Sequence, residues 1–307
     1  MVKSDWNTSY SRIALVSPQL LGYRRFVPLA LILSSFVAAS RIGGAAQQYV
    51  LAAHKIDPVL APTVMFGRTP ARGGLGEVTS PDVFRRMLGD IEADALFGMV
   101  DLIITGHFSD PEQVAIAAGV IERVRTTERS DAWGARPLVL VDPVLGDAPR
   151  GLYVKYEVAQ AVEEQLVPLA DWITPNLWEL AFLADKQINS AAEARDAARA
   201  LGKPALITSV PAGEDEIGLL YVDKEEAVLF AHPKREKAPN GTGDLVTAKF
   251  GAGLVEGRDP RDAAERAARA VAETLLVAQA WKSNDLPIVA LADRIVNPKA
   301  EVRIETL

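Results

Sequence analysis

No cysteine occurs anywhere in the 307 residues, so disulfides, thiolate chemistry and cysteine-ligated zinc are all excluded. Histidine is nearly as scarce. His54, His107 and His232 lie far apart without metal-ligand spacing, and each reads as a surface or structural residue. An excess of positive charge is missing too. The 33 Lys and Arg are outnumbered by 40 Asp and Glu, and the net charge of -7 argues against a nucleic-acid or anionic-membrane surface. A site for an anion must therefore be built locally, from backbone amides and a few basic groups. Long apolar runs are also lacking. Arg24-Arg25 precede an apolar run from Phe26 to Ala39, but Pro28, Ser34 and Ser35 break it and Ser40-Arg41 close it. That run is too short to span a bilayer and does not resemble a signal peptide. It reads as a buried strand entering a loop, and a cytoplasmic location is expected.

What is present is an ordinary globular composition, 49% hydrophobic and 24% charged. The length suits one large α/β domain or two small ones. Strand-like runs at Leu29–Ser35, Leu60–Phe66, Asp101–Thr105, Leu138–Val141, Trp172–Thr174 and Ala205–Ser209 alternate with helical stretches. Pro62 marks the second run as an edge strand or a late start. Ser80-Pro81, Asp110-Pro111 and Asp259-Pro260 are helix starts, and Ser190 with Glu193 forms a capping box. Ile217–Val222 and Ala227–Ala231 read as a hairpin. No repeat or linker divides the chain. The expectation is a single three-layer α/β/α domain with a mainly parallel central sheet, having an N-terminal extension over 1–28 and a core over 29–285.

The most informative stretch is Asn240-Gly241-Thr242-Gly243-Asp244, which leads into an apolar helical run. Two glycines permit a tight turn that bares consecutive N–H groups, and the following helix N-terminus is partly positive, a combination that holds phosphate. A carboxylate at such a site repels the ligand unless it has a task. Accepting a proton from a hydroxyl that attacks a phosphoryl group is one such task. A loop acid favoured near a helix start is the plainer alternative. Other polar loops follow strand ends: Ser35 with Gly43-Gly44, Asp142, and Thr208-Ser209. In a parallel sheet these ends share one edge, where ligands bind, although Gly43-Gly44 also suits a simple tight turn.

The segments Asp142-Pro-Val-Leu-Gly-Asp147, Val167-Pro-Leu-Ala-Asp-Trp-Ile-Thr-Pro-Asn176 with Glu179, Thr208-Ser209 and Ala238-Pro-Asn-Gly-Thr-Gly-Asp244 occur together and in order. As a set they resemble the ribokinase superfamily, most closely its pyridoxal kinase branch, over about residues 30–285. The resemblance implies a ribokinase-like fold and ATP-dependent phosphorylation of a hydroxymethyl group. It makes Asp244 the general base and the amides of Gly241, Thr242 and Gly243 an anion hole. Asp142 and Glu179 would hold Mg²⁺, directly or through water. Asn176, Thr208, Ser209 and Asn240 would contact ATP, with adenine between the region after Val222 and the helix from Pro260. Helix capping is the alternative role for Asn176 and Glu179. Family members are often homodimers.

At the acceptor end the resemblance implies substrate contacts from Ser35, Gly43, Gly44 and Thr69. Here the chain departs from the family. Phe36-Val37-Ala38-Ala39-Ser40 replaces a His- and Tyr-containing segment, and Pro70-Ala71-Arg72-Gly73-Gly74 replaces an aromatic loop. Arg68 and Arg72 offer positive charge suited to an acidic or phosphorylated substrate, or are solvated loop arginines. The acceptor is thus expected to be pyridoxal or a related B6 vitamer, with hydroxymethylpyrimidine or a sugar-like alcohol as alternatives. A non-catalytic nucleotide- or metabolite-binding homologue is the rival of another class. A Rossmann oxidoreductase is set aside, because the chain has neither Gly-x-Gly-x-x-Gly after the first strand nor an acid at the end of the second.

Overall fold

The structure is a computed structural model that describes residues 27–129, 136–235 and 238–307. All but two residues of the N-terminal extension expected over 1–28 fall outside the described residues. Ten strands of the described residues form one sheet, in the order β12-β11-β10-β9-β8-β5-β4-β1-β2-β3. Its centre is parallel: β1 (Leu29–Val37), β2 (Asp57–Phe66), β4 (Val100–Thr105), β5 (Leu138–Val141), β8 (Trp172–Ile173) and the start of β9 (Ala205–Pro211). Antiparallel strands flank it. On one side lie β10 (Glu216–Val222), β11 (Ala227–Pro233) and β12 (Arg303–Thr306), and on the other β3 (Gly76–Val78). A separate ribbon pairs β6 (Gly146–Asp147) with β7 (Gly151–Leu152).

The central strands are apolar throughout because both faces are covered. Leu29, Leu31 and Leu33 of β1 point into one buried cluster, and Ala30 and Ile32 point into the other. The first cluster takes in α2 (Pro81–Ala93), α3 (Pro111–Thr126), α4 (Tyr156–Ala161), α5 (Leu177–Leu183) and α6 (Ala191–Ala200). The second takes in α1 (Gly44–Ala53), α7 (Thr242–Val255), α8 (Pro260–Ala280) and α9 (Ala292–Val296). Each fully buried Leu or Ile contributes about 1.5–3 kcal/mol, so this two-sided burial dominates stability. Packing is close under α7, where a Cβ added to Gly251 would come within 3.0 Å of Leu102 Cδ2 and 3.1 Å of Leu140 Cδ2. Phe250 meets Trp172 edge-on, with ring centroids 5.0 Å apart. The helix is thereby pinned to the middle of the sheet, and its first turn is fixed at the carboxyl edge of the strands.

Several boundaries depart from the sequence expectation for local reasons. Pro62 sits in a strand one in from the edge, but β3 pairs only with Val64 to Phe66 of β2. Its missing N–H therefore costs no ladder bond on that side. The Ser190 hydroxyl accepts the Glu193 N–H at 3.2 Å, whereas the Glu193 carboxylate takes the Asn189 N–H at 2.6 Å, so the capping box is half formed. The ordered chain also continues past 285 through α9 and β12. Arg303-Ile304-Glu305-Thr306 is too short and too polar for its alternation to register in sequence, yet it completes the sheet edge beside β11.

Candidate active site

A cleft of about 1150 Å³ opens over the carboxyl ends of β1, β4, β5, β8 and β9. Every site residue expected from the sequence lines it except Gly44. Gly44 is buried instead at the start of α1, where a Cβ would come within 2.5 Å of Leu60 Cδ1. It seats α1 on β2 and lies outside the cleft lining.

The turn before α7 needs its glycine. Gly241 adopts φ 97°, and a Cβ there would lie 2.4 Å from the Arg41 carbonyl oxygen. The first bond across the start of α7 runs from the Leu245 N–H to the Gly241 carbonyl at 3.0 Å. The N–H groups of Thr242, Gly243 and Asp244 precede it and have no partner within the helix ladder. A Cβ on Gly243 would meet nothing within 4 Å, so this backbone stands bare on the cleft. That is a ready anion site.

Asp244 is held by an unexpected partner. Its Oδ2 accepts the Gly43 N–H at 2.8 Å, across 201 residues of sequence. Gly43 has φ 60°, and a Cβ would fall 2.3 Å from Ser35 Oγ, so only glycine can offer its N–H there. Gly43 thus orients the acid, and its N–H is not free for a substrate. Burial pushes the Asp244 carboxyl up to about 6, against the lowering pull of the Gly43 N–H and its own N–H. Desolvation outweighs these amides, and with a value near 6 the carboxyl is mostly ionised at pH 7.

Two further acids crowd the same space. Asp142, at the end of β5, is buried and its carboxyl is raised well above the usual range, by desolvation first, then by Glu179 and Asp244. Thr247, one turn beyond Asp244, donates to its Oδ2 at 3.0 Å, and Thr174 Oγ1 lies 2.8 Å from Thr247 Oγ1. Val144 folds back with φ 46°, a conformation that β-branched residues rarely adopt, and its N–H also reaches the Asp142 carboxylate. Glu179 is raised by burial to about 7 although three amides face it. Leu145 and Gly146 donate to its Oε1 at 2.8 and 3.4 Å, and Asn176 donates to its Oε2 at 2.8 Å. Asn176 Oδ1 accepts the Glu179 N–H at 2.9 Å, completing a capping box, while its Nδ2 donates to the Gly146 carbonyl at 2.8 Å. The capping role is therefore present, and both residues also line the cleft.

This donor set fits Mg²⁺ held mainly through water. Among the described residues no three acids or histidines converge to ligate a metal directly, and the Glu179 oxygens are engaged by amides. Yet Glu179 and Asp244 both raise Asp142 beyond the effect of burial, which marks a place where a hydrated dication would relieve repulsion.

Several residues were not singled out in sequence. His107 follows β4 and lines the cleft, where burial lowers it to about 4 and keeps the ring neutral. Its place directly after a strand end was the signal available. Thr247 was legible as the residue one turn from Asp244. Arg150 and Lys186 are the Lys and Arg side chains of the lining. Arg68 is an exposed loop arginine, whereas Arg72 is paired with an acid. Arg68 Nη2 donates to the Gly73 carbonyl at 3.3 Å, and Arg72 Nη2 donates to Asp285 Oδ2 at 2.6 Å. The expected adenine slot after Val222 is also displaced. Antiparallel β10 pairs Val222 with Ala205, so the strand returns to the amino edge of the sheet, opposite the cleft.

Two outcomes follow. Gly243→Ala should fold with a melting temperature within about 2 °C of wild type, an ordinary surface effect, yet lose the stabilisation given by Mg·ATP. Gly43→Ala should cost about 2 kcal/mol or more through strain and overpacking; equal behaviour of the two variants in thermal shift would contradict this. Because the folded-state pKa of Asp142 lies above its unfolded value, its contribution to stability is lost as pH rises from about 4 upward. Asp142→Asn should therefore raise the ligand-free melting temperature at pH 7.5. A lower melting temperature would contradict the assigned repulsion.

Comparison with known proteins agrees with this geometry. Residues 98–288 match the family model described as phosphomethylpyrimidine kinase. A pyridoxine/pyridoxal/pyridoxamine kinase of Bordetella avium is 31% identical over 82% of this chain and 86% of that protein. A pyridoxal kinase PdxY of Pseudomonas aeruginosa is 30% identical over 89% of this chain and 96% of that protein. The structure of pyridoxal kinase from Leishmania donovani in complex with ADP and pyridoxamine superposes with a TM-score of 0.82, covering 91% of this chain and 99% of that one at 22% identity. Its likeness shows the shared fold. The chain belongs to the phosphomethylpyrimidine kinase family, within the ribokinase-like superfamily, and bacterial pyridoxal kinases are its relatives.

Proposed function

We propose that this protein is an ATP-dependent kinase that phosphorylates the hydroxymethyl group of pyridoxal or a related B6 vitamer. The observation that carries the reading is Asp244: an acid poised near 6, oriented by Gly43 and set beside the bare amides of α7. The names of the relatives support it, since both act on B6 vitamers.

In the proposed reaction Asp244 takes the proton of the acceptor hydroxyl as that oxygen attacks the γ-phosphorus. The bond to the β–γ bridging oxygen breaks and ADP leaves. The amides of Thr242 and Gly243, with the Gly241 turn, face the charge that develops on the transferred group. Mg²⁺, when bound, would neutralise charge on the phosphates and screen the carboxylates from them. Asp142 would hold it, chiefly through water, while Glu179 fixes the Leu145-Gly146 backbone beneath. Asn176, Thr208, Ser209 and Asn240 border the nucleotide half of the cleft, joined by Lys186 to Asn189. This activity draws on cytoplasmic ATP. No helix among the described residues is long and apolar enough to cross a membrane. The homodimer implied by the resemblance is carried in the reading, and the exposed edge at β3 with Met65 and Val78 is a face open to a second copy.

The acceptor half favours a neutral alcohol. Ser34, Ser35, Phe66, Thr69 and His107 line it; His107 is uncharged, and the nearby Arg68 and Arg72 are engaged elsewhere. Ser34 Oγ is buried without a partner, close against Gly106. A second reading, hydroxymethylpyrimidine as acceptor, is favoured by the description of the family model. Neither Arg68 nor Arg72 is in the cleft lining to receive its phosphorylated form.

An acceptor panel tests these readings: pyridoxal, pyridoxine, hydroxymethylpyrimidine, its phosphate and several sugars, each with Mg·ATP. B6 vitamers should give the highest kcat/KM, and the phosphorylated pyrimidine little turnover. Asp244→Asn should lower kcat about 10²–10⁴-fold while Mg·ATP still raises the melting temperature. The wild-type rate should fall as pH drops through about 6, because the base must be ionised. Absence of turnover with every acceptor would leave a nucleotide-binding homologue as the account.

A further inference from the structure

We propose that the Arg72–Asp285 ion pair is a latch that holds the loop Gly67–Gly76 over the acceptor end of the cleft and so sets affinity for the acceptor, not for ATP. This rests on the acceptor reading above.

The loop is shaped from within. Thr69 Oγ1 accepts the Ala71 N–H at 3.0 Å, and the Thr69 carbonyl accepts the N–H groups of Arg72 and Gly74 at 3.0 and 3.1 Å. Gly74 must be glycine, since a Cβ would lie 1.9 Å from the Arg68 carbonyl oxygen. This compact turn places Thr69, Pro70 and Ala71 on the cleft wall while Arg72 points away from it, across a side chamber of about 440 Å³. On the far side of that chamber is Asp285, braced by Ser283, whose hydroxyl donates to the Asp285 carbonyl at 2.6 Å and accepts the Asp285 N–H at 3.2 Å. Asp285 forms a backbone bridge with Asn240, the residue before the Gly241 turn.

The pair therefore ties a loop of the acceptor wall to the segment that supports the anion-binding turn. Within the described residues, Arg72–Asp285 is the ion pair joining these two walls. Both side chains are partly exposed, at 46% and 34%. An exposed pair of this kind is weak and screened by salt, which suits a closure that must open each turnover. Its loss frees the acceptor wall. The turn at Gly241 keeps its own contacts with Arg41 and Ile42, so the nucleotide half is undisturbed.

The test compares wild type, Arg72→Glu, Asp285→Arg and the exchanged double variant, using pyridoxal and Mg·ATP as substrates and hydrogen exchange across Gly67–Val78 as a readout independent of turnover. Each single variant should raise the KM for pyridoxal roughly fivefold, the scale of an exposed pair, and shift the KM for ATP less than twofold. The amides of Arg72, Gly73 and Gly74 should exchange faster in both. The double variant should restore both readouts, and raising salt from 0.05 to 0.5 M should weaken pyridoxal binding in wild type more than in either single variant. Equal effects on both KM values, or no rescue by the exchange, would overturn the latch. If no acceptor turns over in wild type, the kinase reading fails while hydrogen exchange still decides the latch: protection unchanged in the single variants would refute it.

Discussion

Three carboxyls share one poorly solvated space. The strand ends deliver Asp142 from β5, the capping box holds Glu179 at the head of α5, and Asp244 opens α7. Each is raised by burial, and Asp142 is raised further by the other two. Such repulsion is a standing cost to the ligand-free protein, and active sites are where it is retained. The fold tolerates it because two-sided burial of the central sheet supplies a large surplus elsewhere.

The scaffold positions these groups through close approach more than through side-chain reach. Gly251 lets α7 lie against Leu102 and Leu140, Gly241 lets the turn pass the Arg41 carbonyl, and Gly43 brings an amide to Asp244. The Gly241 and Gly43 contacts join segments about 200 residues apart into one site. The outcome is a half-poised base beside unpartnered amides, while Thr247 and the Val144 turn restrain Asp142 from the other side. Charge and backbone geometry are thus set by different residues, which lets Gly43→Ala and Gly243→Ala separate them.

Much of this was legible in sequence because its signals are local. Strand length, Pro and Asp at helix starts, and the Gly-Thr-Gly-Asp turn each follow from nearby chemistry, and parallel topology then places polar strand ends on one edge. What was not legible depends on distant partners. Nothing near Gly43 announces Asp244, and nothing near Arg72 announces Asp285. Arg72 is paired with Asp285, a residue 213 positions away, which no local pattern reveals. His107 and the adenine slot failed for related reasons. A lone histidine carries no spacing signal, and the direction of β10 depends on pairing that sequence alone leaves open. Gly44 was grouped with Gly43 by adjacency, although the two serve opposite sides of the same turn.

The central claim is that the acid cluster is built to be relieved by a hydrated dication at the phosphates. The direct measurement is calorimetric titration of Mg²⁺ into the protein saturated with a non-hydrolysable ATP analogue at pH 7, in buffers of differing ionisation enthalpy. Wild type should release more protons than Asp142→Asn, because a carboxyl raised by burial and by Glu179 and Asp244 ionises more readily as the cation arrives. Equal proton release by the two proteins would contradict the account.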